Sequence, residues 1–246
     1  MRAWIAAVGW AGIGAVCLGA GPQAADLNLK SGQAVAFLGD SITQQGVRPG
    51  GYVSLVGAGL KAAGYDVTII GAGISGHKSD NMLERVDRDV IGKKPDWMLL
   101  SCGVNDVGHG PRGVPLDAYK TNIAAIVGKA QAAGIRVMIL TATVLSENLE
   151  SEGNRKLSAY NEFLRSLAKE KGCLLADLNA DFRTLLQAKM SPENLLTTDG
   201  VHMNERGNQV MARGVLRAFG LDEAQMGRVE EAWLDLPGTC DWSPSL

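Results

Sequence analysis

The sequence is poor in histidine, in paired cysteine and in surplus charge. Only 3 His occur in 246 residues, thin provision for a metal-dependent phosphoesterase, which gathers several His and Asp ligands at one sheet edge. The 4 Cys, at positions 17, 102, 173 and 240, never fall at C-x-x-C spacing, so neither a zinc cage nor a redox dithiol is indicated. Cys102, Cys173 and Cys240 would allow one disulfide with one thiol left over, and their spacing does not choose the pair. Cys102 follows an apolar run and is expected to be buried. Lys and Arg number 24 against 26 Asp and Glu, a net charge of −2, which supplies no basic footprint for nucleic acid. Glycine is abundant instead: 31 residues, about one in eight against a usual rate of roughly 7%, scattered as in a chain of many tight loops rather than a periodic fibre.

From Arg2 to Asp26 the chain "RAWIAAVGWAGIGAVCLGAGPQAAD" carries no charge between its ends. A basic n-region before an apolar h-region is the pattern of an export signal, assigned here to residues 1–25, with a secreted or periplasmic destination. The competing reading is an uncleaved anchor, since about 20 apolar residues span a bilayer. Gly9, Gly12, Gly14 and Gly19 weaken a spanning helix, so cleavage without stable membrane association is the expectation. Pro22 and Gln23 obscure the cut site, and Cys17 lacks a small-residue lipobox before it.

The remaining length and its 46% hydrophobic content suit one α/β-sized domain. Five short apolar runs read as strands: "AVAFL" (34–38), "VTII" (67–70), "WMLLS" (97–101), "RVMILT" (136–141) and "CLLAD" (173–177). Continuous rather than alternating apolar runs belong to strands covered on both faces. Helical patterns follow over 52–63, 79–89, 115–133 and 154–170, with shorter ones near 181–188 and 205–219. This alternation predicts a three-layer α/β/α, flavodoxin-like domain over residues 26–220, with a mostly parallel five-stranded sheet and ligands outside the carboxyl ends of its strands. Met226, Val229, Trp233 and Leu236 at helical spacing make 221–246 a helix and tail packed on that domain.

Three loops and the approach to the last long helix carry candidate chemistry. "LGDSITQQG" (38–46) puts Ser41 at the end of the first strand, able to offer a hydroxyl and its own N–H; the nucleophile elbow G-x-S-x-G is not met, because position 43 is Thr. "TTDGVHMNERGN" (197–208) sets Asp199 three residues before His202, ahead of a helix for which Asn204 is a plausible N-cap. Serine needs an adjacent base to become a nucleophile, and a carboxylate-held imidazole is such a base. Of the three His, only His202 has a carboxylate so placed. "SCGVNDVGHG" (101–110) offers the Asn105 amide as a donor for an oxyanion, although taken singly GVND also reads as a polar turn. "VTIIGAGISG" (67–76) matches the dinucleotide fingerprint G-x-G-x-x-G in its spacing. That motif should lead to an acidic residue closing the next strand about 20 residues on; here that strand closes with Ser101 and Cys102, while Asp87, Asp89 and Asp96 fall in the helix or before the strand.

The four blocks occur in an order and spacing that resemble the SGNH hydrolase superfamily, the GDSL-type esterases and lipases, from about Gln33 to Phe219. The resemblance implies Ser41 as nucleophile, His202 as general base and acid, and Asp199 as the group that orients His202. It further implies an oxyanion hole of the Ser41 and Gly76 N–H groups and the Asn105 side chain, with no metal or cofactor. Gly71 and Gly73 would then serve a sharp turn off the second strand. The irregular stretches 44–52 and 109–113 would form the pocket, in which His109 and Arg112 either touch substrate or are solvated. Few aromatics and no lid-like apolar insertion favour removal of small acyl groups, such as acetyl from carbohydrate, over interfacial lipolysis; thioesterase or lysophospholipase activity stays open. A nucleotide-binding oxidoreductase and an inactive secreted binding module are the alternatives from other classes. Oligomeric state is not legible.

Overall fold

A computed structural model describes Met1, residues 28–188 and residues 195–241. Apart from Met1, the expected leader lies outside these residues. The strands β1 (Ala34–Gly39), β2 (Thr68–Gly73), β3 (Trp97–Ser101), β4 (Arg136–Leu140) and β5 (Leu174–Ala176) form one parallel sheet in the order β2-β1-β3-β4-β5. This is the flavodoxin-like order. The apolar runs are continuous because both faces are covered: every residue of β3, and all of β1 beyond Ala34, is buried.

Nine α-helices are present among the described residues. In chain order they are α1 (Ser41–Gly46), α2 (Tyr52–Ala62), α3 (Ser79–Asp89), α4 (Val104–Gly108), α5 (Leu116–Ala132), α6 (Glu152–Lys171), α7 (Leu178–Gln187), α8 (Glu205–Phe219) and α9 (Glu223–Leu234). α3, α5 and α6 pack side by side on one face of the sheet, and α2 packs with α8 and α9 on the other. At the second contact Gly59 lets the helices close in, since a Cβ there would lie 2.7 Å from Leu216 Cδ1 and 2.9 Å from Val229 Cγ1. α9 is fixed by buried Met226, Val229 and Trp233, with the Trp233 indole N–H donating to the Leu55 carbonyl at 3.0 Å.

Side-chain caps explain where elements begin. The fifth apolar run stops being a strand at Ala176 because the Asp177 carboxylate accepts from the Ala180 N–H and opens α7. That is three residues earlier than the helical pattern near 181 suggests. Ser151 caps α6 on the Asn154 N–H, and Asn204 caps α8 on the Gly207 N–H.

Two expectations need correction. Gly71 and Gly73 do not turn the chain: both lie within β2, paired in register with Phe37 and Gly39, and neither has a positive φ. Their lack of a side chain serves close packing, because a Cβ on Gly73 would collide with the Gln44 N and one on Gly71 would lie 2.8 Å from Val47 Cγ1. The helix after β2 starts at Ser79, beyond Gly76, so the three glycines do not form the tight strand-to-helix turn of a dinucleotide site. The stretch 44–52 is also spent elsewhere: Tyr52 N–H donates to Asn208 Oδ1 at 2.9 Å, and Gly50 packs against the backbone of Gly238.

Candidate active site

β1 and β3 are neighbours, while the chain leaving β1 goes first to β2 on the far side. Loops after the two strands therefore diverge and open a crevice at the carboxyl edge of the sheet. Ser41 and Asn105 both stand there, on the helices that directly follow β1 and β3.

Ser41 is the first residue of α1 and only 6% exposed. The turn into the helix is tight: a Cβ on Gly39 would overlap Thr43, and the Asp40 carboxylate caps the helix by accepting from the Ile42 N–H at 2.9 Å. Ser41 Oγ lies 2.9 Å from His202 Nε2, and His202 Nδ1 lies 2.7 Å from Asp199 Oδ2. The second carboxylate oxygen of Asp199 accepts the N–H groups of Val201 at 3.0 Å and His202 at 2.8 Å. Burial opposes the Asp199 charge, but these N–H groups and the imidazole hold its carboxyl down at about 2. The segment that carries both residues is closed on itself by a Thr197–Met203 bridge and by Thr198 N–H donating to the His202 carbonyl at 2.8 Å. Three groups separated by up to 161 positions are thus joined in one hydrogen-bonded relay, in which His202 can take a proton from the hydroxyl while Asp199 balances the imidazolium charge.

Gly76 occupies a left-handed conformation, φ 75°, with open space where a side chain would stand. Its loop is pinned by Ile74 N–H donating to the Gly39 carbonyl and by Ser75 N–H donating to Gln44 Oε1. One amide hydrogen of Asn105 is engaged by the His77 carbonyl at 3.0 Å. A primary amide has two donors, so the other can serve a ligand. Asn105 and Gly76 are therefore mechanically joined through His77, and neither is hydrogen-bonded to Ser41 among the described residues.

Arg85 underlies this arrangement and has no sequence signal, being one of several charged residues in "LERVDRD". Its guanidinium, on a side chain 4% exposed, donates to the carbonyls of Gly39 and Ala72, each at 2.8 Å, and to His77 Nδ1 at 3.1 Å. It thereby ties the ends of β1 and β2 to the loop that holds Gly76. Cys102, buried as expected, donates its thiol to Asp106 Oδ2 at 3.3 Å, and Asp106 Oδ1 accepts from the Ser79 N–H. Cys102, Cys173 and Cys240 are all free thiols.

His202, Asp199 and Asn105 line a cleft of about 520 Å³, whose lining includes neither Ser41 nor Gly76. His109 and Gly110 line it, as the expectation for 109–113 had it, but Arg112 does not. Leu145, Val201 and the first turns of α6, with Glu152 and Lys156, also line it, none of which the sequence marked. Among the described residues no three His, Cys, Asp or Glu side chains converge as metal ligands, and no helix is long and apolar enough to cross a membrane.

Asp40 makes the site pH-sensitive in its stability. It is 1% exposed, and burial pushes its carboxyl up to about 7, with Asp106 adding to the rise and the Ile42 N–H and His202 opposing it. A folded-state value above the unfolded one means the folded chain holds a proton that the unfolded chain has lost, so the contribution present below pH ~4 fades as pH rises toward 7. Asp40→Asn should therefore gain on the wild type between pH 5 and pH 8 by about 2–3 kcal/mol. Denaturant melts at the two pH values check this; parallel stability curves for the two proteins would contradict it.

Comparison with known proteins decides the family. Residues 37–210 match the model of the GDSL-like Lipase/Acylhydrolase family. The chain belongs to that family. It is a carboxylic ester hydrolase of the SGNH type, a three-layer α/β/α enzyme. It is 28% identical over 217 residues to an acetylxylan esterase of Geobacillus stearothermophilus, covering 80% of this chain and 98% of that protein. It is 27% identical over 172 residues to the esterase TesA of Pseudomonas aeruginosa, covering 69% and 79%. Among solved structures, the acetyl xylan esterase AlAXEase superposes with a TM-score of 0.71 at 35% identity, over 75% of this chain and 98% of that one.

Proposed function

We propose that this hydrolase deacetylates carbohydrate through a Ser41–His202–Asp199 triad. The observation that carries the reading is the unbroken relay, 2.9 Å from Ser41 Oγ to His202 Nε2 and 2.7 Å from His202 Nδ1 to Asp199 Oδ2. Ser41 attacks the acyl carbon as His202 takes its proton. The tetrahedral oxyanion is met by the N–H groups of Ser41 and Gly76 and by the free amide hydrogen of Asn105. His202 then protonates the leaving alcohol, and water, deprotonated by the same imidazole, releases acetate and restores Ser41.

Three features favour a small acyl group on a polar alcohol. The cleft is walled by His109, Glu152 and Lys156 as well as by aliphatic side chains, a mixed lining that suits a sugar better than a long chain. Two of the relatives are acetylxylan esterases. An uncharged run behind Arg2 reads as an export signal, which would deliver the enzyme to polysaccharide outside the cytoplasm. The test is a series of p-nitrophenyl esters from acetyl to decanoyl, run alongside acetylated xylan and acetylated pectin. Acetyl should be preferred, with kcat/KM down about tenfold or more by octanoyl, since extra methylenes would lie against the polar His109, Glu152 and Lys156. A rising profile would replace this reading with a lysophospholipase or long-chain thioesterase of the same fold.

A further inference from the structure

Resting on that triad, we propose that Glu147 is a positioning residue for the reaction, setting the Asp199–His202 segment at the distance from Ser41 that proton transfer requires. Glu147 lies in the loop after β4 and touches none of the three triad side chains. Its Oε1 accepts the Leu196 N–H at 2.8 Å and both the N–H and the hydroxyl of Thr197 at 2.7 Å, while its Oε2 accepts the Leu195 N–H at 2.7 Å. One carboxylate thus takes three successive backbone donors and a hydroxyl from a single short stretch, which fixes that stretch in translation and in orientation. Hydrogen bonds to an ionised acceptor are about twice as strong as neutral ones.

The stretch it grips is the base of the segment that carries the acid–base pair. At its end, Thr197 pairs with Met203 across the segment, and its hydroxyl accepts the Gly200 N–H at 3.2 Å. Asn204 N–H donates to the Leu196 carbonyl at 3.1 Å, and Asn204 Nδ2 donates to the Leu195 carbonyl at 3.0 Å. Residues 195–204 therefore form one closed unit whose tip holds Asp199 and His202 and whose root is held by Glu147. α8 anchors the C-terminal side of this unit, and Glu147 is its counterpart on the other. The loop that supplies Glu147 also supplies Leu145 to the cleft wall, so the same loop registers the substrate wall against the base.

The chemistry makes this position sensitive. A displacement of about 1 Å in a catalytic group can cost on the order of 10²-fold in rate without touching the reacting atoms. Glu147→Ala removes all four bonds. Glu147→Gln can keep the Oε1 set through its carbonyl but turns an N–H₂ toward the Leu195 N–H. Thr197→Val removes the hydroxyl bond to Glu147 together with the acceptor of the Gly200 N–H. The expected order of kcat is wild type, Thr197→Val, Glu147→Gln, Glu147→Ala, with the last down about 10- to 10²-fold and KM within about twofold.

Steady-state kinetics on p-nitrophenyl acetate, with hydrogen exchange of residues 195–204, test the proposal on the full-length protein. Positioning predicts amide exchange at Leu195, Leu196 and Thr197 at least tenfold faster in Glu147→Ala, together with the kcat loss and partial recovery in Glu147→Gln. Unchanged kcat in a variant with faster exchange, or a kcat loss with unchanged exchange, overturns it. If Glu147→Ala does not fold, Glu147→Gln gives the same two readouts. Exchange needs no turnover, so a failure of the triad reading, seen as wild-type hydrolysis that persists in Ser41→Ala, is distinguishable from a failure of the Glu147 assignment.

Discussion

Replacing Ser41 by Ala is expected to reduce ester turnover to the level of the uncatalysed or binding-assisted reaction, a loss on the order of 10⁴- to 10⁶-fold in kcat. The size follows from the mechanism. Without the hydroxyl no acyl-enzyme can form, and His202 has no serine nucleophile to activate. Triad members act as one unit, so His202→Ala should cost a comparable factor and the double variant little more than either alone. The fold should tolerate the change, because Ser41 contributes its side chain to a single hydrogen bond with His202, while the turn is fixed by Gly39 and Asp40. Stopped assays with p-nitrophenyl acetate, alongside melts that show the variant folded, make the comparison. Residual activity above about 1% of wild type would place the nucleophile elsewhere.

The second large effect belongs to Asn105. Truncation to Ala should lower kcat by about 10²- to 10³-fold with KM nearly unchanged, the signature of a donor used in the transition state and not in the ground state. One complication is visible in the geometry: the same amide donates to the His77 carbonyl at 3.0 Å. Loss of Asn105 therefore also loosens the loop that presents Gly76, and the two contributions should be inseparable in a single variant. Asn105→Asp separates them from charge, since a carboxylate can neither donate to His77 nor stabilise an oxyanion and should be at least as damaging as Ala. A twofold loss in Asn105→Ala would relegate the residue to a turn.

The sheet was legible because burial on both faces leaves no alternation, and runs such as "AVAFL" and "WMLLS" have no other stable use in a chain of this composition. The relay residues were legible for a different reason: Ser41 with its Gly39–Asp40 turn, and Asp199 three before His202, are local patterns whose chemistry requires close spacing. Asn105 was legible only as one reading of a polar turn, its amide a possible oxyanion donor, and Gly76 was named through the family resemblance.

What escaped was whatever depends on a partner remote in sequence. Arg85 looks like one more charge on an amphipathic helix, and only folding brings it under Gly39, Ala72 and His77. Glu147 reads as a loop acid until residues 195–197 arrive beside it. Gly71 and Gly73 suggest a sharp turn off the second strand, yet they are strand residues whose missing side chains admit α1; a glycine kept for close approach and one kept for positive φ are the same letter. The cleft wall on α6 was invisible for the same reason, whereas the stretch 44–52, irregular enough to suggest a pocket, is consumed by contacts with Asn208 and the C-terminal tail.

The central claim is a covalent acyl transfer through one hydroxyl, and the most direct measurement is mass spectrometry of the protein after a fluorophosphonate ester. The account predicts a single adduct, mapped to the peptide that contains Ser41, absent in Ser41→Ala, slowed by orders of magnitude in His202→Ala, and formed in step with the loss of acetyl ester hydrolysis. Complete inactivation with the adduct on another residue, or full activity in a protein carrying the adduct on Ser41, would contradict it.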